Sequence, residues 1–423
     1  MAMSLPFVPA FVWYAFASIA TWTRLPAFEM PQLDEAGVVE NGNQIGFERL
    51  SSVHPLNLTN SLAAYQRQRH LALFTVCGAL GGTALSYQWA FAEPNGRPVD
   101  ERHTENCAIR WQAPREGTFV VTLTARRRDS VVLRARRSIR FVDFWIVAVG
   151  DSFAAGEGSP NEDANSTSFP RSSSSQWLSE KCHRSTKSFP FLVYKRLMEM
   201  TRSKFAVHFT FLACSGAAVD GGSLSLLAQL DAVEEIRRER GKRPELLLMT
   251  AGGNDAGFTE VLGQLLRGHG VSRARSRLRL HFVAHQLERV AERIDRIAPS
   301  QVILPTYFQF GRNDRGELDV DCEQMHGITK RGLRSAELFV LKPLNELIEA
   351  TAKRRGWTAV PEVTRLFDRG GLCARRPLIR SVDESARLQG DSGGSFHPNA
   401  AAHSLISDLI FSKLKFSEFL TSN

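Results

Sequence analysis

The pattern of apolar and polar positions changes character near residue 144. Before it, Leu71–Cys77, Ser86–Phe91, Ala108–Gln112, Thr118–Ala125, Val131–Ala135 and Ile139–Val142 are short runs rich in β-branched and aromatic residues. Turn material such as Glu93-Pro94-Asn95-Gly96 and Pro114-Arg115-Glu116-Gly117 separates them, which predicts a small β-sandwich. Beyond residue 144 strands and helices alternate. Phe144–Val149, Leu246–Thr250 and Gln301–Pro305 read as fully buried strands, whereas Leu226–Arg240, Arg275–Ile297 and Glu337–Arg354 carry helical apolar spacing. That alternation predicts βαβ units, hence an α/β fold with a parallel sheet covered on both faces.

The flanks complete a four-part division. Leu5–Trp22 is uncharged and largely apolar, with small residues at cleavage-like spacing; residues 1–28 read as a signal peptide or a membrane anchor. Residues 29–60 lack periodicity and read as a linker, 61–143 as the β-sandwich, and 144–423 as the α/β domain. Within the sandwich, the stretch from Trp111 to Thr124 resembles the late strands of bacterial immunoglobulin-like or PKD-like modules. Arginines cluster there (Arg126–Arg128, Arg134, Arg136, Arg137, Arg140), and a solvated strand face accounts for them better than a basic patch does.

Composition then narrows the partners. The 423 residues carry a formal charge of +9 and a pI near 9.5, which favours anionic surfaces, lipid or polymer, and the sandwich is the candidate to hold one. No nucleic-acid motif is present, so nucleic acid is not an expected partner. The six cysteines include no CxxC pair, so zinc spacing is absent. In an exported chain an even number favours disulfides. Asn57-Leu58-Thr59 and Asn165-Ser166-Thr167 fit the glycosylation acceptor pattern.

Four segments carry candidate chemistry. Phe144–Gly158 reads FWIVAVGDSFAAGEG, placing Ser152 after a buried strand, where open α/β sheets put their ligands. Phe211–Ala217 reads FLACSGA, and Leu246–Phe258 reads LLLMTAGGNDAGF. Ser395-Phe396-His397-Pro398-Asn399 follows the glycine-rich 390–394 and precedes a helical stretch. Taken singly each has a plain reading: Ser152 or Asn254 as a helix cap, Gly216 and Gly253 as turn glycines, His397 as a loop histidine.

Together, Ser152, Gly216, Asn254 and His397 resemble, in chain order, the four residues that name the SGNH family of GDSL-type esterases and lipases. Lys181-Cys182-His183-Arg184-Ser185 and Ala213-Cys214-Ser215-Gly216 are similar to motifs of its secreted, disulfide-containing lipases. The resemblance runs from about residue 144 to the C-terminus. It implies a flavodoxin-like three-layer α/β/α sandwich and hydrolysis of acyl or lipid esters through an acyl-enzyme, without cofactor or metal. It implies Ser152 as nucleophile and His397 as base. The oxyanion hole would comprise the N–H groups of Ser152 and Gly216 and the Asn254 side chain. It also implies Cys182–Cys214 and Cys322–Cys373 bridges, which leaves Cys77–Cys107 for the sandwich. The family's acid three residues before the histidine is Gly394 here, so the Ser395 carbonyl is the preferred orienting group and Asp391 the less favoured acid. Asp151 is expected to support the turn. Trp177, Asp255 and His403 are pocket candidates for which core or surface roles serve equally well. A carbohydrate deacetylase or acyltransferase, or a silent binding module, are the alternatives.

Overall fold

The computed structural model describes residues 45–50, 65–66, 70–77, 85–164, 175–200, 205–325 and 327–415. The N-terminal apolar segment and both glycosylation acceptor sites lie outside them. Among the described residues no helix is long and apolar enough to cross a membrane.

Twelve strands occur among those residues: β1 Gly46–Leu50, β2 Tyr65–Gln66, β3 His70–Thr75, β4 Ser86–Ala92, β5 Pro98–Thr104, β6 Ala108–Ala113, β7 Gly117–Arg127, β8 Ser130–Val149, β9 Phe205–Phe211, β10 Leu246–Met249, β11 Gln301–Pro305 and β12 Thr358–Val360. The helices are α1 Ser152–Ala155, α2 Phe189–Met200, α3 Leu226–Arg240, α4 Phe258–Leu266, α5 Arg273–Ile297, α6 Lys330–Ala336, α7 Lys342–Arg355, α8 Glu362–Phe367, α9 Val382–Leu388 and α10 Ala400–Ser412, with a π-helical turn at Glu337–Leu341.

The chain forms two compact units. The smaller takes in Val76–Cys107 and Val120–Arg137. Its strands β5, β4 and β7 pair antiparallel, with Trp89 opposite Arg102 on one side and Leu123 on the other. Trp89, Phe91, Val121 and Leu123 are buried there, and Cys77 and Cys107 are bonded.

The larger unit comprises Gly46–Thr75, Ala108–Phe119 and Ser138–Asn423. Its parallel strands run in the order β9-β8-β10-β11-β12. Numbered from β8, that order is 2-1-3-4-5, the flavodoxin-like winding. Alternation along β8 sorts its residues by face. Phe144, Ile146 and Ala148 join one buried cluster with Phe189, Val193, Ile406 and Ile410, from α2 and α10. Trp145, Val147 and Val149 join the other with Leu230, Val290 and Leu344, from α3, α5 and α7. A fully buried sheet needs apolar residues on both faces, which is why these strands read as unbroken apolar runs. A small antiparallel sheet, β1-β3-β6, belongs to the same unit, packed around Phe47, Phe74, Trp111, Phe119 and Phe141.

Two sequence readings need correction, and strand β5 had no sequence reading. The stretch read as linker, 29–60, contains β1; its apolar alternation is hidden by Arg49, which is buried and donates to His70 Nδ1 at 3.0 Å. Strand β8 runs unbroken from Ser130 to Val149, so residue 144 is not a break in structure, and Ser138–Val142 groups with the α/β unit. β5 reads as polar because its residues are exposed or half-buried throughout.

Candidate active site

The site is built where β8, β9 and β10 end. After Val149 the chain turns at Gly150, whose φ of +133° places a would-be Cβ 2.3 Å from Thr250 Oγ1. Glycine is therefore required there. Buried Gln229 holds this turn from both sides, accepting from Gly150 N–H at 2.7 Å and donating to its carbonyl at 3.0 Å. Asp151 caps α1 by accepting from Phe153 N–H at 3.0 Å. It also accepts from Thr250 Oγ1 at 2.8 Å and from the Tyr307 hydroxyl at 2.5 Å. Asp151 is thus spent on fixing the turn, and Ser152 stands at the start of α1.

His397 reaches that serine from the far end of the chain. Its Nε2 lies 2.8 Å from Ser152 Oγ, and its Nδ1 lies 3.0 Å from the Ser395 carbonyl oxygen. A carbonyl can only accept, so the Nδ1 carries the proton and Nε2 presents its lone pair to the serine hydroxyl. Burial lowers the His397 pKa, against the raising effects of Glu157 and the Ser395 carbonyl, and the net shift is downward. The imidazole is accordingly neutral at neutral pH.

Asp391 is directed elsewhere. Its carboxylate accepts from Gly393 N–H at 2.7 Å and from Gln389 Nε2 at 2.8 Å. Gly216, at φ +78°, sits exposed in the turn after β9. Asn254 follows β10, and its Nδ2 donates to the Ala217 carbonyl at 2.9 Å. That bond ties the Asn254 amide to the turn that carries Gly216.

The Lys181–Ser185 motif clamps these turns together. Cys182 is bonded to Cys214, and buried Arg184 donates to the carbonyls of Ala213 at 2.9 Å and Leu212 at 3.4 Å. Ser185 N–H donates to the Ala155 carbonyl at 2.9 Å. Cys322 and Cys373 are also bonded, and none of the six cysteines is free.

Beside the dyad lies a charged group that sequence reasoning missed. Glu157 is 2 % exposed. It accepts from His183 Nδ1 at 2.8 Å and from Gln389 Nε2 at 2.6 Å. Burial raises its pKa, but the His183 hydrogen bond and the charges of His397 and His183 outweigh that and hold it below the usual glutamate value. His183 is desolvated too, yet Glu157 raises it overall, and Trp177 stacks on its ring at 4.5 Å. The signal was present in the Glu of GDSFAAGEG and the His of KCHRS, but neither matched a named role. Gly158 is needed next to it, since a Cβ there would stand 3.1 Å from His397 Cβ.

Of the other candidates, Asp255 accepts from Val219 N–H and has a pKa raised by burial. His403 is a core residue: burial pulls it down to about 3, and its Nδ1 accepts from Phe189 N–H at 3.3 Å.

A pocket with a cavity volume of about 100 Å³, open to solvent, starts at Ser152 and His397. One wall is α4 (Phe258, Val261, Leu262, Leu265) and the other the π-helical turn with α7 (Val340, Leu341, Leu344). Tyr307, Phe308 and Phe310 form its base. The lining is overwhelmingly apolar.

Residues of metal-ligating type converge elsewhere, at His70, Asp143 and His208. Their arrangement does not suit a cation. Arg49 donates to His70 Nδ1, which puts the ring proton on Nε2, 2.6 Å from Asp143 Oδ1. Arg240 Nη2 stands 3.2 Å from the same carboxylate. One carboxylate between two guanidinium groups leaves no excess negative charge for a metal.

The GDSL-like lipase/acylhydrolase family matches residues 148–405. A lipase of Streptomyces rimosus is 29% identical over 265 residues, covering 61% of this chain and 82% of its own. Among solved structures, an active-site mutant of a family two carbohydrate esterase from Clostridium thermocellum aligns at 10% identity with a TM-score of 0.33, covering 88% of this chain and 97% of that one. A gut microbial diltiazem-metabolizing enzyme aligns at 11% identity with a TM-score of 0.35, covering 64% of this chain and 46% of that one. The match spans more than half of the chain and includes all four candidate site residues: the chain belongs to the GDSL-like lipase/acylhydrolase family.

Proposed function

We propose that this carboxylic ester hydrolase works through a Ser152–His397 dyad oriented by the Ser395 carbonyl, on esters with an apolar acyl chain. The observation that carries the reading is His397, with Nδ1 on a carbonyl and Nε2 on Ser152 Oγ, at the mouth of an apolar pocket. Ser152 Oγ attacks the ester carbonyl while Nε2 takes its proton. The tetrahedral oxyanion is held by the N–H groups of Ser152 and Gly216 and by Asn254 Nδ2. His397 then passes the proton to the leaving alkoxide, giving the alcohol and an acyl-serine. Water, deprotonated by the same nitrogen, releases the acid and restores the serine.

The acyl chain lies between α4 and the π-helical turn. Walls of this composition support a lipid ester over a carbohydrate acetate, which needs polar groups to bind its sugar. Three disulfides support work outside the cytoplasm. The test is turnover of a p-nitrophenyl acyl series by wild type and Ser152→Ala. Preference for medium or long chains and loss of nearly all activity in the variant are expected. Preference for acetate, or a variant retaining more than a few per cent of activity, would sink the reading.

A further inference from the structure

Helix α5 carries an outward face that the catalytic reading does not use. Its inner face is buried at Ser276, Val283, Leu287 and Val290. On the opposite face, Leu278 and Phe282 stand one turn apart and are each 58% exposed. Arg277, His281 and His285 flank them and are exposed as well. From Arg267 to His285 the chain has five arginines, three histidines and no acidic residue. Glu260 of α4 pairs with both Arg275 and Arg279 and offsets one of their two charges. The outward face is therefore apolar at its centre and cationic at its rim.

The position of this face gives it meaning. The first half of α5 touches both walls of the apolar pocket: Arg275 pairs with Glu260 on α4 at 2.6 Å, and the Arg273 guanidinium lies 5.9 Å from the Phe339 ring of the π-helical turn. The helix precedes β11 and runs antiparallel to it, so its first turns lie at the end of the sheet that holds Ser152. An amphipathic helix with exposed Leu and Phe between basic residues is the form that lies in a membrane interface.

We propose that the first half of α5 docks the enzyme on an anionic lipid surface, with Leu278 and Phe282 entering the acyl layer and Arg273 and Arg277 meeting headgroup phosphates. This rests on the lipid-ester reading above and adds to it the surface from which the substrate is taken. Docking there brings the pocket to the lipid and raises turnover on vesicle-borne esters, without touching the chemistry at Ser152.

The experiment is sedimentation of the full chain with phosphatidylglycerol or phosphatidylcholine vesicles at low and high salt. Leu278→Ser/Phe282→Ser and Arg273→Glu/Arg277→Glu variants are run beside wild type. Wild type should prefer the anionic vesicles, and salt should weaken that preference. Each double variant should bind about tenfold or more weakly and lose a similar factor on a vesicle-borne ester, while hydrolysing soluble p-nitrophenyl acetate as wild type does. Equal binding to both vesicle types, or variants that bind like wild type, would overturn the proposal. So would a dimer that dissociates on Leu278→Ser/Phe282→Ser, because the face would then belong to a second copy. Absence of any p-nitrophenyl ester turnover in wild type would instead refute the esterase reading, leaving vesicle binding to be judged separately.

Discussion

In the proposed dyad His397 has a carbonyl rather than a carboxylate on its Nδ1, so a neighbouring anion is what would stabilise the imidazolium formed during turnover. A carbonyl fixes the tautomer but supplies no full charge, whereas Glu157 is a buried anion that acts on His397 through space. Because burial leaves the His397 pKa below the usual histidine value of about 6.5, the acidic limb of kcat/KM should inflect below that pH. Glu157→Gln keeps the shape and removes the charge. The pKa of His397 then falls further, so the acidic limb moves to lower pH while kcat drops about tenfold, which corresponds to about 1.4 kcal/mol of transition-state stabilisation. A pH profile that stays in place would reduce Glu157 to a packing residue. Asp391→Asn should leave kcat within a few-fold of wild type, whereas His397→Ala should be nearly inactive. A thousandfold or greater loss on Asp391→Asn with the fold intact would bring a carboxylate into the dyad, since removing a true triad acid costs about ten-thousandfold.

Elements differ in how plainly the sequence announces them. Strands β8, β10 and β11 are legible because burial on both faces demands unbroken apolar runs, and β8 and β10 end in small residues that let backbone approach a ligand. Ser152 and Asn254 were visible for that reason, whereas His397, in the loop before α10, was visible only through the family resemblance. The pocket was not, because α4, the π-helical turn and the loop at Tyr307–Phe310 meet only in three dimensions. Their apolar residues look like ordinary core. Glu157 was hidden differently: a glutamate among glycines reads as exposed until Gln389, 232 residues later, is seen to donate to it. The π-helical turn itself breaks the regular spacing of the helical stretch at Glu337–Arg354, a feature often found at functional sites. Val340 on that turn lines the pocket. Val340→Trp should shorten the acyl chain accepted, lowering kcat/KM for long p-nitrophenyl esters by about tenfold or more relative to the acetate. Equal losses across the series would mean that the acyl chain does not lie against this turn.

Across the larger unit, the proposed dyad and a second buried charge centre both depend on β8, at different points along it. Ser152 lies just beyond the end of β8 at Val149, while Asp143 lies within that strand and is 8% exposed. Asp143 joins β3 through His70 at 2.6 Å, β9 through His208 at 3.1 Å and α3 through Arg240 at 3.2 Å. Burial alone would raise its pKa, but the hydrogen bonds from His208 and His70 overcome that and hold it far below the ordinary aspartate value. A carboxyl depressed in the folded state contributes stability above its unfolded pKa of about 3.9, and that stability is lost as pH falls below it. Asp143→Asn leaves two arginines and two histidines around a neutral amide, and loss of one member of such a buried set costs about 3–5 kcal/mol. The variant should therefore melt well below wild type at neutral pH, and the gap should narrow as pH is lowered through 4, because wild type then begins to lose the same charge. At temperatures where both remain folded, kcat on a soluble ester should be unchanged, since Asp143 is partnered by His70, His208 and Arg240 and by neither Ser152 nor His397. A melting gap that stays constant down to pH 2 would show that the carboxylate charge is not what joins these strands.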